Sequence, residues 1–345
     1  MRSWIKHVQK LLPDLLPVMQ TRIQILQYIR LTQPIGRRNL SASLNMTERV
    51  LRSEVQVLKE QNLIDIASSG MSLTEEGMNL VFSLEEFMRE ISGLQVLEQQ
   101  LKEVLNLDEV FVVAGDSDES PWVKQEIGRA CATCIKDRLS ANNIVAVTGG
   151  TTVAAVADMM QFDCKNLHIQ FVPARGGIGE SVENEANTIC AKMAKHTMSN
   201  YRLLYVPDHV SSEVYASIVT EPSVKAVLEL IHSSAIVIHG IGDAMTMARR
   251  RSTSEADWHT ITEGKAVGEA FGYYFNEHGE VVHKVFTVGM QLEDLGHVPH
   301  VIAVAGGSSK AKAIQAVVSQ GHTSLLVTDE GAARELLRGY SPLII

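Results

Sequence analysis

The stretch AVTGGTTVAAVADMM, residues 146–160, decides how the rest of the chain is interpreted. A β-branched run over Ile144–Val147 leads into it, the chain turns on Gly149 and Gly150, and an apolar helix-like segment begins at Thr151. Backbone amides and hydroxyls at the start of a helix suit a phosphate, because the helix dipole and the unpaired N–H groups both favour an anion. The stretch therefore predicts a strand, a phosphate-binding turn and a helix. It leaves open whether that phosphate belongs to a substrate or to a signal.

The same alternation of strand and helix repeats through the second part of the chain. Strand-like runs occur at residues 110–115, 143–150, 167–177, 201–207, 234–242, 300–307 and 323–331. Helix-like runs lie between them, at residues 121–140, 152–160, 182–198, 222–232, 309–320 and 331–338. This pattern predicts a Rossmann-like α/β domain with a mostly parallel sheet covered on both faces. Ligands of such sheets bind at the carboxyl ends of the strands, where most of the glycine-rich turns fall.

Composition predicts a globular chain without a membrane span. Its 345 residues suggest about two domains, and the 45% hydrophobic content is ample for a sizeable core. No run reaches about 18 uninterrupted apolar residues. The first twenty residues lack the pattern of a signal peptide. We therefore expect a cytoplasmic protein that does not enter a membrane.

The four cysteines and twelve histidines do not predict a metal site. Cys131 and Cys134 form a C-x-x-C motif, but no second pair lies at the spacing of a zinc finger. The motif also falls within an amphipathic helical run, which favours small buried thiols over ligands. We expect neither a metal nor a cofactor.

The charge of the chain is unevenly distributed. Residues 1–62 carry ten Lys and Arg against four Asp and Glu, whereas residues 63–345 carry 21 against 36. A head of charge +6 therefore precedes a body of charge −15. A basic segment on an acidic protein is typical of contact with a polyanion, and we expect only the head to meet DNA.

The basic head has the pattern of a winged helix-turn-helix. Helical periodicity covers residues 18–32, a short second helix follows, and Thr47 can cap a third helix with Leu51 and Val55 on its apolar face. Residues 63–74 then read as two short strands and a turn, which predicts the wing. The alternative is a small helical packing module with a solvated basic face.

The polar face of the third helix is the candidate DNA-reading surface. Its side chains lie about 200° around the helix from the apolar face, and a face of this kind fits the major groove. With the arginines of the second helix and the capping threonine, the DNA-binding candidates are Arg37, Arg38, Thr47, Arg49, Arg52, Ser53 and Gln56.

A heptad spacing follows the predicted head. Steps of four and three connect Leu84, Phe87, Ile91, Leu94, Glu98, Leu101 and Leu105. The spacing predicts a helical connector over residues 80–107, and pairing of two connectors would place two heads on two half-sites. A helix that packs on its own domain would show the same pattern, and Gly93 and Glu98 weaken the seam. We expect self-association.

Further polar turns follow other predicted strands. VPARGG places Arg175 directly after a strand, where it could hold an anion or equally form a buried ion pair. HGIGDAMTMARRRS holds only part of a dinucleotide-binding motif but carries three adjacent arginines, 249–251. AGGSSKAKA places Lys310 at a helix start and resembles a phosphate cradle, without the spacing of a P-loop. These clusters suit a ligand with two phosphates, or with one phosphate and a carboxylate.

Glu269, within AVGEAFGYYFN, is a candidate acceptor for the hydroxyl protons of a sugar. The alternative, a carboxylate on a surface hairpin, is slightly favoured by the residues themselves.

The stretches VTGGTTVAAVA, VPARGG, HGIGDA and IAVAGGSSKAKAI resemble the SorC/DeoR type of bacterial transcription repressor over essentially the whole chain. The resemblance implies a winged-helix domain at 1–79, the connector at 80–107 and a sugar-phosphate effector domain at 108–345. That effector domain has the fold of ribose-phosphate isomerases, glucosamine-phosphate deaminases and coenzyme A transferases. The resemblance further implies repression of a glycolytic operon, tetrameric binding to operator DNA and fructose-1,6-bisphosphate as the inducing effector.

The resemblance also assigns roles to the polar turns. In the TGGTT loop, Gly149, Gly150, Thr151 and Thr152 would hold one phosphate. Arg175 would help to hold the ligand, and Arg250 and Lys310 would serve phosphate. Glu269 would contact the sugar hydroxyls.

An isomerase or deaminase-like enzyme fused to a DNA-binding domain is the alternative. An isomerase needs a carboxylate base facing two adjacent carbons and usually a cation for the oxyanion. The turn HGIGDAM offers Asp243 without a second aspartate beside it. Donors without a paired base hold a phosphate but do not transform it. We therefore expect a sensor rather than an enzyme, with no catalytic residues.

Overall fold

The structure is a computed structural model and describes residues 10–179 and 181–340. Residues up to Val96, with Ser120–Trp122, form one compact unit, and the rest of the chain from Leu97 forms a second. Two parts of the sequence predictions lie outside the described residues: 1–9, in the stretch tested for a signal peptide, and 341–345, at the end of the predicted effector domain. Within the described part, every helix is too short or too polar to cross a membrane.

Three helices and a hairpin form the predicted winged-helix part of the first unit. They are α1 (Leu15–Thr32), α2 (Arg37–Ser43), α3 (Glu48–Glu60), β1 (Ile64–Ala67) and β2 (Gly70–Leu73), the two strands being antiparallel. Each helix turns one apolar face inward, so that Ile25, Leu40 and Leu51 are fully buried. Burial of each such side chain stabilises the fold by about 1.5 to 3 kcal/mol. The predicted winged-helix order is confirmed.

Two helices share the heptad seam. They are α4 (Glu75–Ile91) and α5 (Leu94–Leu105). Between them Gly93 adopts a left-handed φ of 72°, which ends the first helix. The predicted helical connector over residues 80–107 thus falls on two helices with a break at Gly93, one of the two residues expected to weaken the seam. Leu101 and Leu105 are buried within their own chain. This half of the seam therefore agrees with the alternative prediction, a helix that packs on its own domain.

Two sheets form the framework of the second unit. Its strands are β3 (Glu109–Val113), β4 (Ile144–Val147), β5 (Gln170–Pro173), β6 (Asn200–Tyr201), β7 (Ile236–Gly240), β8 (Gly242–Asp243), β9 (Ala266–Ala270), β10 (Tyr273–Asn276), β11 (Val281–Lys284), β12 (His300–Val304) and β13 (Leu325–Asp329). The larger sheet has the order β3-β13-β12-β7-β4-β5-β6 and is parallel throughout. Each of the seven predicted strand-like runs supplies one of its strands, so the predicted parallel α/β fold is confirmed.

Helices alternate with these strands. They are α6 (Pro121–Lys136), α7 (Thr151–Met159), α8 (Ala186–His196), α9 (Ser212–Ile218), α10 (Pro222–His232), α11 (Ala244–Arg250), α12 (Glu255–Glu263), α13 (Ala311–Val318) and α14 (Glu330–Tyr340). Strand β13 is buried along its whole length and β7 along all but its last residue, as expected for a parallel sheet covered on both faces. The six predicted helix-like runs are confirmed, whereas α9, α11 and α12 lie outside them.

The smaller sheet was not predicted. It is antiparallel with the order β11-β10-β9-β8, and the adjacent residues Tyr274 and Phe275 on β10 are both fully buried. Its strands have two to five residues, which is too short for an alternating pattern to stand out from the surrounding turns. This sheet carries Glu269 on β9.

Candidate functional site

A cavity of about 480 Å³ lies at the carboxyl ends of four neighbouring strands. The loops after β4, β5, β7 and β12 line it, together with β9 of the smaller sheet. All of the effector candidates predicted from the sequence lie on its wall, namely Gly149, Gly150, Thr151, Thr152, Arg175, Arg250, Glu269 and Lys310. The position agrees with the general rule for ligands of parallel sheets.

The start of α7 forms one side of this cavity. Gly149 has no room for a side chain, since a Cβ would lie 2.7 Å from the carbonyl oxygen of Asn184. Gly150 adopts a φ of 122° and provides no side-chain cap for α7. The N–H groups of Thr151 and Thr152 belong to the first turn, which has no intrahelical acceptors. This uncapped helix start suits a phosphate group.

Four buried charged side chains alternate in a network on another part of the wall. Arg175 Nε donates to Asp208 Oδ1 at 2.6 Å, and Arg251 Nε donates to Asp208 Oδ2 at 3.0 Å. Arg251 Nη2 donates to Glu269 Oε1 at 2.9 Å, and Arg175 Nη1 lies 3.5 Å from the same oxygen. The ion-pair alternative for Arg175 is therefore correct, although the side chain also lines the cavity.

Electrostatic interactions within this network favour the charged forms of Asp208 and Arg251. Burial by itself would raise the pKa of the Asp208 carboxyl, but the charges and hydrogen bonds of Arg175 and Arg251 outweigh burial and lower that pKa. Burial likewise opposes the charge of Arg251, yet Glu269 and Asp208 raise its pKa above the usual value. The two arginines and two carboxylates cancel in formal charge. The network therefore shapes the wall and holds its N–H donors in place without adding net positive charge.

The three adjacent arginines have three different environments. The guanidinium of Arg249 lies 5.8 Å from the ring centre of Trp258. Arg250, the predicted ligand residue, lines the cavity, with Nη1 3.6 Å from the sulfur of Met247. Arg251 enters the buried network. Of this run, Arg250 was the predicted ligand residue, and the structural role of Arg251 was not predicted.

Glu269 is buried, with 4% of its surface exposed, so the surface-hairpin alternative is wrong about its position. In addition to Arg251, its Oε1 accepts a hydrogen bond from the N–H of Gly272 at 2.7 Å. That oxygen is already saturated by protein donors. Its predicted contact with sugar hydroxyls stays a prediction, to be made through the other oxygen.

The loop around Gly307 differs from the predicted phosphate cradle. The N–H groups of Gly307 and Ser309 donate to carboxylate oxygens of Asp329 and Asp118, each at 2.8 Å. Carboxylates of the protein therefore already accept hydrogen bonds from the backbone N–H groups that a phosphate would need. Lys310 still lines the cavity, and its Nζ donates to the carbonyl of Ile241 at 3.3 Å. The prediction fails for the loop backbone, whereas the lysine remains a candidate.

Two further acidic residues of the wall were not predicted. Asp208 directly follows the strand-like run 201–207, and that position was the available signal. Glu185 accepts hydrogen bonds from the N–H groups of Ile178 and Gly179 at 3.1 and 2.8 Å and so fixes the loop after β5. Nothing in the local sequence pattern distinguishes Glu185 from other surface carboxylates.

Asp243, the residue considered for isomerase chemistry, also lines the cavity. Its carboxylate caps α11 by accepting a hydrogen bond from the N–H of Thr246 at 2.8 Å. A capping carboxylate of this kind stabilises the start of its helix.

No group of three or more His, Cys, Asp and Glu side chains within residues 10–179 and 181–340 is arranged to hold a metal ion. Cys131 is a free, buried thiol whose pKa is raised chiefly by burial. Cys134 is also a free thiol, only partly buried.

The predicted DNA-binding residues in the first unit form an exposed surface. All seven are exposed, namely Arg37, Arg38, Thr47, Arg49, Arg52, Ser53 and Gln56. Thr47 caps α3 by accepting a hydrogen bond from Val50, as predicted. The apolar face of α3, which includes Leu51 and Val55, is buried. The predicted separation of an inner apolar face and an outer polar face is confirmed.

Family models assign both units. Residues 89–338 match the model of a sugar-binding domain, and residues 18–88 match that of the CggR N-terminal DNA-binding domain. The first match covers more than half of the chain.

Named relatives agree with these models. The chain is 65% identical over 342 residues to the central glycolytic genes regulator of Priestia megaterium, covering 99% of this chain and 100% of that protein. It is 60% identical over 338 residues to the regulator of the same name from Bacillus subtilis, covering 98% and 99%. A solved SorC-family transcriptional regulator from Enterococcus faecalis is 43% identical, with a TM-score of 0.66 over 70% of this chain and 99% of that one.

The chain is similar to the two named regulators over almost their whole length, and its own residues 18–88 match a DNA-binding domain. The chain is therefore a regulator and not a sugar-phosphate isomerase. It belongs to the SorC family of transcription regulators, within the group of central glycolytic genes regulators.

Proposed function

We propose that the chain represses a glycolytic operon and that fructose-1,6-bisphosphate, bound in the cavity of the second unit, relieves the repression. The observation that carries this proposal is the presence, in one chain, of a helix with exposed arginines on its polar face and a cavity with phosphate donors on separate loops. The full-length similarity to central glycolytic genes regulators supports the choice of target genes.

The cavity has suitable size and chemistry for a sugar bisphosphate. About 480 Å³ falls within the usual range for small-molecule sites. The uncapped start of α7, with Thr151 and Thr152, provides donors for one phosphate together with Lys310. Arg250, on α11, is assigned to the other phosphate. Glu269 and the Arg175 donors are assigned to the sugar between them.

The seven exposed residues on α2 and α3 are assigned to operator DNA. Arginines there would contact phosphates and guanine edges, whereas Ser53 and Gln56 would read base edges in the major groove. The proposed division of the chain is a DNA-binding domain at 1–79, a helical connector at 80–107 and an effector domain at 108–345.

Regulation follows from a difference in affinity. Operators with repeated half-sites are bound most tightly by a dimer or tetramer, which presents several heads at once. Effector binding would order the loops around the cavity and favour a subunit arrangement that fits the operator less well. Only a difference in affinity of the ligand for the two arrangements can shift their populations.

The test is DNA binding measured by fluorescence anisotropy, with a duplex from upstream of the glycolytic genes of the encoding organism. We expect tight cooperative binding that weakens about tenfold or more and loses cooperativity in saturating fructose-1,6-bisphosphate. Fructose, which lacks phosphates, is the matched control and should have no effect. An isotherm that the bisphosphate leaves unchanged would refute the proposed regulation.

A further inference from the structure

Lys124 on α6 brings a further cation to the phosphate side of the cavity. Its Nζ lies 3.4 Å from Oγ1 of Thr151, the first residue of α7. Lys124 was not among the predicted ligand residues, because it lies in a helical run and not in a glycine-rich turn. Its charge nevertheless reaches the uncapped helix start described above.

Lys124 and Lys310 feel each other's charge. The pKa of Lys310 is lowered, first by burial and next by the positive charge of Lys124, while the charges of Asp118, Asp243 and Asp329 act in the opposite direction. Among residues 10–179 and 181–340, neither ammonium group has a carboxylate oxygen within 4.0 Å. The positive charge of Lys124 is therefore unfavourable for the charged form of Lys310 in the ligand-free protein.

The two arginines of the buried network do not offer a comparable positive charge, and Arg250 is assigned to the other phosphate. Arg175 and Arg251 are balanced by Asp208 and Glu269 at hydrogen-bond or ion-pair distances. A doubly negative group at the start of α7 would therefore find its compensating charge mainly in the two lysines. A dianion near both lysines would also offset their mutual repulsion.

We propose that Lys124 is a phosphate-binding cation that acts with Lys310 to hold a phosphate dianion at the start of α7. This assignment rests on the proposed function, in which the cavity binds a sugar phosphate. Lys124 makes the site selective for a doubly charged group, since a carboxylate or a hydroxyl in the same place would use only part of the two positive charges.

The test is calorimetric titration of the full-length protein with fructose-1,6-bisphosphate. Lys124→Gln should bind about tenfold more weakly, which is the effect of one charge-assisted contact. Lys124→Arg should stay within about threefold of the unchanged protein, because the charge is kept. The control Lys312→Gln removes the same charge from an exposed side chain paired with Glu277, and its affinity should not change.

Thermal unfolding without ligand separates binding from folding. If Lys124 held the fold together, Lys124→Gln would unfold at a lower temperature. Relief of repulsion from Lys310 instead predicts an equal or higher unfolding temperature. A lower unfolding temperature, with weak binding that Lys124→Arg does not restore, would overturn the proposal.

Two further outcomes separate this proposal from the one on which it rests. If Lys124→Gln binds the bisphosphate like the unchanged protein while Thr152→Val binds it weakly, the site is correct and the role of Lys124 is refuted. If the unchanged protein binds no fructose-1,6-bisphosphate, the proposed effector is refuted, and the role of Lys124 falls with it.

Discussion

The arginines of α3 and those of the cavity have the same chemistry in opposite environments. Arg49 and Arg52 are exposed on the outer face of their helix, whereas Arg175 and Arg251 are buried between carboxylates. An exposed arginine keeps its charge available to a partner and contributes little to folding. A buried, paired arginine has its charge balanced within the protein and becomes part of the structure. Substitutions should therefore separate binding from stability.

The largest effect is expected for Asp208→Asn. This substitution leaves Arg175 and Arg251 with one carboxylate between them in a buried place, and breaking a buried pair costs about 3 to 5 kcal/mol. We expect a loss of that size in the free energy of unfolding of the second unit, measured by urea denaturation with a probe in that unit. A loss below about 1 kcal/mol would show that the network is not structural.

Lowering the pH should reduce the free energy of unfolding of the second unit by about 3 kcal/mol, because protonation of a buried histidine also places a charge in the interior. His239 is fully buried, and burial lowers its pKa from about 6.5 to about 4. Its contribution to stability is complete above about pH 6.5 and is lost as the pH falls towards 4, because the unfolded chain takes up the proton first. A shift of about 2.5 units corresponds to about 3 kcal/mol.

The measurement is urea denaturation of the second unit at several pH values. His239→Phe keeps a planar aromatic ring without a titrating group, and its stability should change less between pH 6.5 and 4. Parallel curves for the two proteins would mean that His239 does not cause the loss.

On the exposed side of the comparison, Arg52→Ala should weaken operator binding by about 1 to 2 kcal/mol, roughly tenfold or slightly more. If the contact is to a phosphate, the slope of log affinity against log salt should also fall by about 0.9. Its free energy of unfolding should change by less than about 0.5 kcal/mol, because the side chain is exposed. Fluorescence anisotropy at several salt concentrations measures both DNA terms.

Arg334→Ala is the matched control for this experiment. It removes an exposed arginine of the second unit, paired with Glu330, and should leave DNA affinity unchanged. Equal losses for the two variants would indicate a general effect of net charge and would contradict a DNA-reading role for α3.

The same distinction between exposed and buried groups explains how far sequence reasoning reaches. The polar face of α3 and the seven strands of the larger sheet follow from local periodicity, so they could be predicted. Which of three adjacent arginines enters the core depends on Asp208 and Glu269, which are distant in sequence. A local sequence pattern therefore could not predict that Arg251 is buried and paired.

Two glycine-rich turns show this limit most clearly, since TGGTT and AGGSSK both read as phosphate cradles. After β4 the helix start is left without a side-chain cap, as the sequence suggests. After β12 the amides of Gly307 and Ser309 are taken by Asp329 and Asp118, which come from other strand ends. Local sequence specifies a tight turn in both places, but tertiary partners decide which turn can still bind an anion.

The smallest predicted effect compares one hydroxyl from each turn. Thr152→Val removes a hydroxyl at the start of α7 with little change in volume, and one lost hydrogen bond of about 1 kcal/mol should weaken fructose-1,6-bisphosphate about fivefold. Ser308→Ala should leave that affinity unchanged, because the Ser308 N–H and hydroxyl already donate to Asp116 and Asp118, at 3.3 and 3.4 Å. Calorimetric titration of both variants measures the difference. Equal losses of affinity in the two variants would mean that the second turn also binds the ligand. The phosphate would then replace Asp116 and Asp118 as the acceptor of the hydrogen bonds from this turn.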